Sequence, residues 1–387
     1  MAANRIILIL LWILSLIGIS FYGGPVTYVF FAVMTMIPLI SLLYILIVYF
    51  RFKIYQDMNK NNVVADSISD FYITLQNEDF LTFSGIRIMF YSPFSSVLGI
   101  DERTEYELGP FSGIKKETSL LCRYRGEYEV GIKSIVIQDF FRIFKLTYRN
   151  REPFRISVLP QIIEFTSLKT LDIKDTSSVE TTANATEPDI LVRDYVPGDS
   201  MRMIHWPSSA STGKLLVRKM TGEENSGLGM IIDPSRYSED PSYYLPLENK
   251  ISEIAIALAM YFVRNNTPVS IYSFSGRLIE NTVKDTEGFK SFYSFISHFI
   301  FEKDNTQEKL FLHLAERQSV FSDKLVIMIL HTLSPEANRT VDLLKRNGVL
   351  VVIYLVTDDD KEAESARILC EGDLFVIPTQ ADLREVL

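Results

Sequence analysis

From Ile6 to Phe50 the chain carries no Asp, Glu, Lys or Arg, and nothing else in it limits the fold so sharply. The first apolar run, Ile6 to Phe21 or Tyr22, is about 17 residues, or about 25 Å of helix, close to what a bilayer core demands. Gly23, Gly24 and Pro25 then break the helix. The second run, Val26 to Phe50, is about 25 residues and crosses with some tilt. Pro38 falls inside it, where membrane helices tolerate a kink. The short Gly-Gly-Pro link makes the two helices antiparallel neighbours, and each satisfies its own backbone inside lipid. A cleaved signal peptide is disfavoured, since no Ala-x-Ala site follows the first run and a second span comes at once. Residues 1–53 are therefore expected to form a two-helix transmembrane hairpin that meets the bilayer through residues 6–50. Arg5 precedes the first span, Arg51 and Lys53 follow the second, and the turn is uncharged. The positive-inside rule then puts both termini and the body in the cytoplasm.

The body is acidic. The chain has 48 acids against 39 bases, and its first 53 residues hold three of the bases and none of the acids. Nucleic acid is excluded as a partner on this ground, because neutralising phosphates needs a basic face. Attraction to anionic headgroups is disfavoured for the same reason. The two cysteines, Cys122 and Cys370, are too few and too far apart for a disulfide scaffold or a CxxC site, and read as buried thiols in a reducing compartment.

Residues 54–170 change rhythm to short alternating or aromatic runs, such as Phe71–Leu75, Ile86–Phe90 and Ile132–Ile137, punctuated by Gly85, Gly99, Gly109, Gly113, Gly126 and Gly131. Short strands with turn signals point to a β-sandwich-like domain. Residues 171–226 form a polar linker and then a dense motif that runs from Arg193 to Arg218. Asp199 and Arg202 lie three apart, in reach of one another across a helical turn, and Arg193, Arg202 and Arg218 are suited to bidentate carboxylate pairing. The structural reading of this motif is a polar staple between domains, and the functional reading is a partner surface. A nucleophile reading would use His205 as base with Ser209 or Ser211, but no Gly-x-Ser-x-Gly elbow frames either serine.

Residues 227–387 alternate apolar strands with helices: Gly229–Asp233, a one-sided helix from Lys250 to Asn265, Pro268–Phe274, a helix over Phe289–Phe301, Leu325–Leu330, a helix over Pro335–Arg346, and Val349–Val356. Near-continuous apolar strands fit a mainly parallel sheet covered on both faces, a Rossmann-type open α/β sheet. Asp233 ends the first of these strands, where such folds gather functional groups. It opens an Asp-x-Ser-x-Ser-like loop in which Ser235 is in register but Tyr237 replaces the second serine, and the loop after Leu330 reads His331-Thr332-Leu333 with no carboxylate. Asp233 and Ser235 are thus a degenerate metal loop, too thin a set for magnesium; the preferred reading is no cofactor, with Asp233 capping a loop, and Mg2+ on those two residues as the alternative.

The motif resembles the signature of domain-of-unknown-function family 58 (DUF58), Arg-x-Tyr-x-x-Gly-Asp-x-x-Arg-x-Ile-x-Trp followed by a Lys-Leu-x-Val-Arg strand. Here it is supplied by Arg193, Tyr195, Pro197, Gly198, Asp199, Arg202, Ile204, Trp206, Ala210, Lys214, Leu215, Val217 and Arg218. His205 stands where the family usually has Asp, and Ser211 where it usually has Arg, so a negative and a positive charge are lost together. The resemblance implies a bacterial inner-membrane protein, a last domain of von Willebrand factor A-like fold, and association with a MoxR-type AAA ATPase or a transglutaminase-like membrane protein. It implies an adaptor or scaffold in envelope-related assembly and carries no enzymatic activity over. The alternatives are the hydrolase built on His205 and a purely structural membrane protein.

Overall fold

The computed structural model describes residues 2–58, 62–92, 94–150, 153–168, 190–195, 206–220, 228–315, 323–370 and 373–387. The chain divides into two units, Met1–Gln161 and Ile162–Leu387.

The first unit opens with helices α1 (Ala2–Tyr22) and α2 (Pro25–Arg51). Gly23, at φ +45, makes the reversal that a side chain would resist. Gly24 and Thr27 form a capping box, and Pro25 takes the first helical position, where a missing N–H costs nothing. Trp12 Nε1 donates to Thr35 Oγ1 (3.1 Å), and the Trp12 ring leans on Phe31. Most large apolar side chains of α1 and of the first half of α2 face outward, which water would not tolerate and a bilayer would. Both helices are long and apolar enough to cross a membrane.

The second half of α2 behaves differently. Ser41, Ile45 and Val48, spaced at helical period, are buried, and the two aliphatic ones join the core of the β body. Only Phe52 separates α2 from β1 (Lys53–Met58), so the helix runs into the sheet without a linker.

That body holds β2 (Asn62–Val64), β3 (Ile68–Gln76), β4 (Phe83–Phe90), β5 (Ser95–Leu98), β6 (Tyr106–Leu108), β7 (Gly113–Cys122), β8 (Gly126–Val130), β9 (Ile132–Gln138), β10 (Lys145–Arg149) and β11 (Phe154–Leu159). They form two four-stranded antiparallel sheets, in the orders β1-β3-β7-β5 and β10-β9-β4-β6, and a three-stranded sheet, β2-β11-β8. Alternation sets the inward residues, Phe71, Ile73 and Leu75 on β3 and Ile86, Ile88 and Phe90 on β4, which meet in one core. Gly85, at φ +69, lets β4 pass the Gln138 carbonyl at the end of β9; a Cβ there would lie 2.7 Å from that oxygen.

The second unit starts with a ribbon of β12 (Ile190–Asp194) and β13 (Leu216–Met220), with the short helix α3 (Trp206–Thr212) between them in sequence. Then follow β14 (Leu228–Ile232), α4 (Pro241–Arg264), β15 (Val269–Phe274), β16 (Leu278–Val283), α5 (Thr286–His298), α6 (Gln307–Ala315), β17 (Leu325–Leu330), α7 (Pro335–Arg346), β18 (Leu350–Val356), α8 (Asp360–Leu369), β19 (Asp373–Ile377) and a final turn of helix. The strands form one sheet of order β16-β15-β14-β17-β18-β19, parallel except for the edge strand β16. Met230, Ile232, Ile271, Ile327 and Ile329 face α4 and α5; Ile231, Tyr272, Met328 and Leu330 face α6 and α7. Both faces are covered, which explains the near-continuous apolar strands.

Helix α4 departs from the sequence expectation. It begins nine residues before Lys250, at Pro241, capped by Asp240, and is buried along its polar side as well as its apolar one. Glu248, Asn249, Lys250 and Glu253 are all buried. Lys250 Nζ donates to Glu253 Oε2 and to the Ala381 carbonyl (3.0 Å each), and Asn249 Nδ2 donates to Glu253 Oε1 (2.7 Å). The carboxyl-terminal segment that supplies Ala381, and Leu383 and Leu387 to the core, covers a side that the hydropathy pattern assigns to solvent.

Candidate functional site

The chain enters the large sheet at β14, builds outward to β16, then crosses back to place β17 on the other side of β14. The strand order reverses between β14 and β17, and a crevice at their carboxyl ends is where open α/β sheets bind ligands. Asp233 stands there, fully buried.

Four donors surround its carboxylate. Oδ1 accepts from the Ser235 amide (3.0 Å); Oδ2 accepts from Tyr237 Oη (2.8 Å), Gln307 Nε2 (2.5 Å) and the His331 amide (3.1 Å). They come from three places: Ser235 and Tyr237 from the loop after β14, Gln307 from the first turn of α6, and His331 from the end of β17. Gln307 Nε2 donates also to the Thr332 carbonyl (2.9 Å), while its Oε1 is buried without a partner among the described residues. Ser235 Oγ donates to the Asn305 carbonyl (2.9 Å) and also interacts with the Tyr237 hydroxyl. The Tyr237 and His331 rings meet edge to face at 4.5 Å. His331 Nδ1 lies 2.7 Å from the Val356 carbonyl, which can only accept, so Nδ1 carries the proton. Burial, and then the Asp233 charge, raise the Tyr237 pKa, so the phenol stays protonated and donating.

Beside this cluster Arg236 holds Glu248 with two bonds, Nε to Oε1 (2.6 Å) and Nη2 to Oε2 (3.0 Å), and lies over the Tyr244 ring at 4.0 Å. Burial works against the Arg236 charge, but the bonds to Glu248 prevail and raise its pKa.

Both metal-loop residues take part in the cluster, Asp233 through its carboxylate and Ser235 through its amide and its hydroxyl beside Tyr237. Tyr237, in the place of the second serine, supplies its hydroxyl to the same carboxylate. Gln307 was not anticipated. It sits in the polar run Asp304–Glu308, and only the fold brings it to Asp233. Among the described residues no group of three or more His, Cys, Asp or Glu converges as metal ligands would.

The signature motif is partly described. Arg193 and Arg218 lie on the β12–β13 ribbon, opposite Val217 and Val192. The Tyr195 amide donates to the Leu215 carbonyl (2.9 Å), Trp206 is exposed on α3, and Lys214 is exposed beyond it. Ser209 is buried and its Oγ accepts from the Leu216 amide (2.9 Å), tying α3 to β13. The side chain of Ser211, and Pro197, Gly198, Asp199, Arg202 and His205 as a whole, lie outside the described residues, so the proposed His205 pairing with Ser209 or Ser211 and the Asp199–Arg202 pairing do too.

Two apolar helices joined to a β body, followed by an α/β unit with a closed carboxylate at its switch point, define the class of molecule. Residues 191–364 match the family model described as "Protein of unknown function DUF58". A search of curated proteins gives no match. Solved structures with some likeness include the cupredoxin domain of amoB from Nitrosocaldus yellowstonii (7% identity over 30% of this chain and 96% of that one, TM-score 0.20). Others are proximal thread matrix protein 1 from the mussel byssus (14%, 41% and 44%, TM-score 0.28) and a GH20 exo-β-N-acetylglucosaminidase from Vibrio harveyi (8%, 79% and 57%, TM-score 0.15). Likeness this slight carries neither fold nor function over.

Proposed function

We propose that the protein is a membrane-anchored adaptor whose cytoplasmic body presents the carboxyl edge of its α/β sheet to a protein partner in envelope-related assembly. The observation that carries this reading is the direct passage of α2 into β1 with Ile45 and Val48 in the β core, which makes the apolar hairpin a rigid mount for a folded body. Arg5, Arg51 and Lys53 at the body's end of the hairpin support the cytoplasmic orientation.

The α/β unit is read as von Willebrand factor A-like. Support comes from its sheet order, its antiparallel edge strand and the carboxylate at the end of its first strand. In this reading the loop has given up metal. Hard cations need oxygen ligands, whereas two N–H groups and one O–H already point at Asp233 Oδ2. The edge then recognises its partner by shape and hydrogen bonding instead of through a bridging ion. The partner proposed is a MoxR-type AAA ATPase, with a transglutaminase-like membrane protein as the second candidate.

Co-purification of the full-length protein from its native membrane tests this. A parallel sample carries Glu239→Ala with Lys303→Ala, an exposed ion pair (2.5 Å) beside the edge whose loss costs little stability. A stoichiometric ATPase that is lost from the folded variant is the expected result. Recovery of the protein alone, with and without ATP and magnesium, would sink the adaptor reading.

A further inference from the structure

The turn between β9 and β10 carries two neighbouring phenylalanines with no packing role in the β core. Phe140 is 78% exposed and Phe141 46%, and their rings meet at 5.6 Å and 87°. In an otherwise ordinary hairpin turn such a pair is costly in water. Yet the turn is built firmly. Asp139, 2% exposed, accepts at Oδ1 from the Phe144 amide (2.5 Å), and its carbonyl accepts from the Arg142 amide (2.9 Å). Arg142 takes a left-handed conformation, φ +55, and its Nη2 reaches Glu105 (3.0 Å).

Three bonds fasten this turn to the hairpin at one depth. Asn4 Nδ2 donates to the Phe141 carbonyl (2.9 Å), Arg5 Nε donates to the Ile143 carbonyl (2.7 Å), and Ser41 Oγ donates to Asp139 Oδ2. The Trp12–Thr35 bond sets the register of the two helices and puts Arg5 level with Leu42, next to Ser41. From that level to the Gly23–Gly24 reversal α1 measures about 26 Å and α2 about 24 Å, at 1.5 Å per residue. This is close to the roughly 30 Å hydrocarbon core, so Arg5 and Ser41 mark the lipid boundary on the body's side. Phe140 and Phe141 are held at that boundary, beside the helices.

We propose that the β9–β10 turn is an interfacial anchor: Phe140 and Phe141 enter the headgroup–acyl boundary of the leaflet that Arg5 faces and seat the β body on the membrane. The inference rests on the reading that the hairpin spans a bilayer. The occupant is the apolar side of the lipid interface, not an anionic headgroup, because the turn offers rings to it and its Arg142 is already paired with Glu105. Exposed rings on a turn that hydrogen bonds hold rigid lose little freedom on insertion, so the apolar area gained is kept as binding.

The test uses the full chain in phosphatidylcholine vesicles, with a nitroxide attached in turn to Phe140→Cys, Leu14→Cys and Ile68→Cys. Cys122 and Cys370 are buried and stay unlabelled. Leu14 is 58% exposed midway along α1; Ile68, 67% exposed, begins β3, at the far end of that strand from the turns near α2. The expected result is that Phe140 and Leu14 collide with dissolved oxygen and lose access to a water-soluble nickel chelate, while Ile68 does the reverse. If Phe140 matches Ile68 while Leu14 remains lipid-like, the anchor is overturned and the hairpin stands. If Leu14 is also water-accessible, the hairpin reading falls and takes the anchor with it.

Discussion

A buried carboxylate that forms no ion pair among the described residues must be stabilised by hydrogen bonds, and Asp233 collects four. Asp233→Ala leaves those donors facing a void, and since each unsatisfied buried group costs about 1–3 kcal/mol, a loss on the order of 4 kcal/mol is expected in denaturant unfolding. Magnesium and a chelator should leave the melting temperature of the unaltered protein where it was; a rise with magnesium that Asp233→Ala abolishes would contradict the closed carboxylate. Asp323, at the foot of β17, has the opposite environment. Its Oδ2 is buried without a partner among the described residues, in space that Gly229 leaves open: a Cβ there would lie 2.6 Å away. Burial, and then the Glu280 charge, push its pKa from 3.8 up to about 6. The folded state therefore prefers the protonated acid, and stability falls as pH rises from about 4 through about 6. Discounted for solvent screening, the loss is on the order of 2 kcal/mol. Asp323→Asn should remove this slope, so that comparing denaturation midpoints at pH 4.5 and 7 shows the variant overtaking the parent only at the higher pH; parallel profiles would contradict it. Of these two sites the sequence displayed Asp233, through the strand-end position and the Asp-x-Ser spacing. It hid Gln307, because a contact across the fold leaves no local spacing to read.

Among the elements, legibility followed the number of signals that agree. Helix α7 was read to the residue because Ser334 caps it, Pro335 opens it and Asn347-Gly348 closes it. Strand β17 was equally plain, since six buried apolar residues in a row admit little else. Helix α4 was half read: Pro246 within it and the charges from Glu248 to Glu253 imitate a surface, though tertiary contacts bury them. Helix α2 is read as membrane along its whole length, and the structure adds that one side of its last turns, Ile45 and Val48, packs into the β core. A chain that begins at Ser41 keeps those turns, and one that begins at Lys53 strips Ile45 and Val48 from the β core. At about 1.5–3 kcal/mol for each buried aliphatic side chain, the shorter form should lose about 3–6 kcal/mol of β-body stability. Thermal melts of the two truncated chains measure this, and equal midpoints would mean that the helix contributes nothing to the core.

For the whole molecule, the charge-free run, the alternating β stretch and the later α/β rhythm gave the order of parts, because each has its own hydropathy period. Sheet order was beyond reach: nothing in a strand's composition says that β17 returns to the other side of β14. The boundary between units lies at Gln161–Ile162, and Ile163, Phe165 and Leu168 pack into the α/β core. The composition shift at Lys53 marks a change of surroundings, but packing runs across it, so hairpin and β body form one unit.

The single residue between α2 and β1 has a mechanical consequence. A helix in a bilayer adjusts its tilt to the local thickness, and a slack tether would absorb that adjustment. Here there is no slack. If the hairpin spans a bilayer with its boundary at Ser41, as proposed above, α2 extends about 15 Å beyond it with Ile45 and Val48 held in the β core, and works as a lever arm. In that setting, thinning or thickening of the membrane would become a swing of the β body, and torque applied to the body would be felt by the lipid.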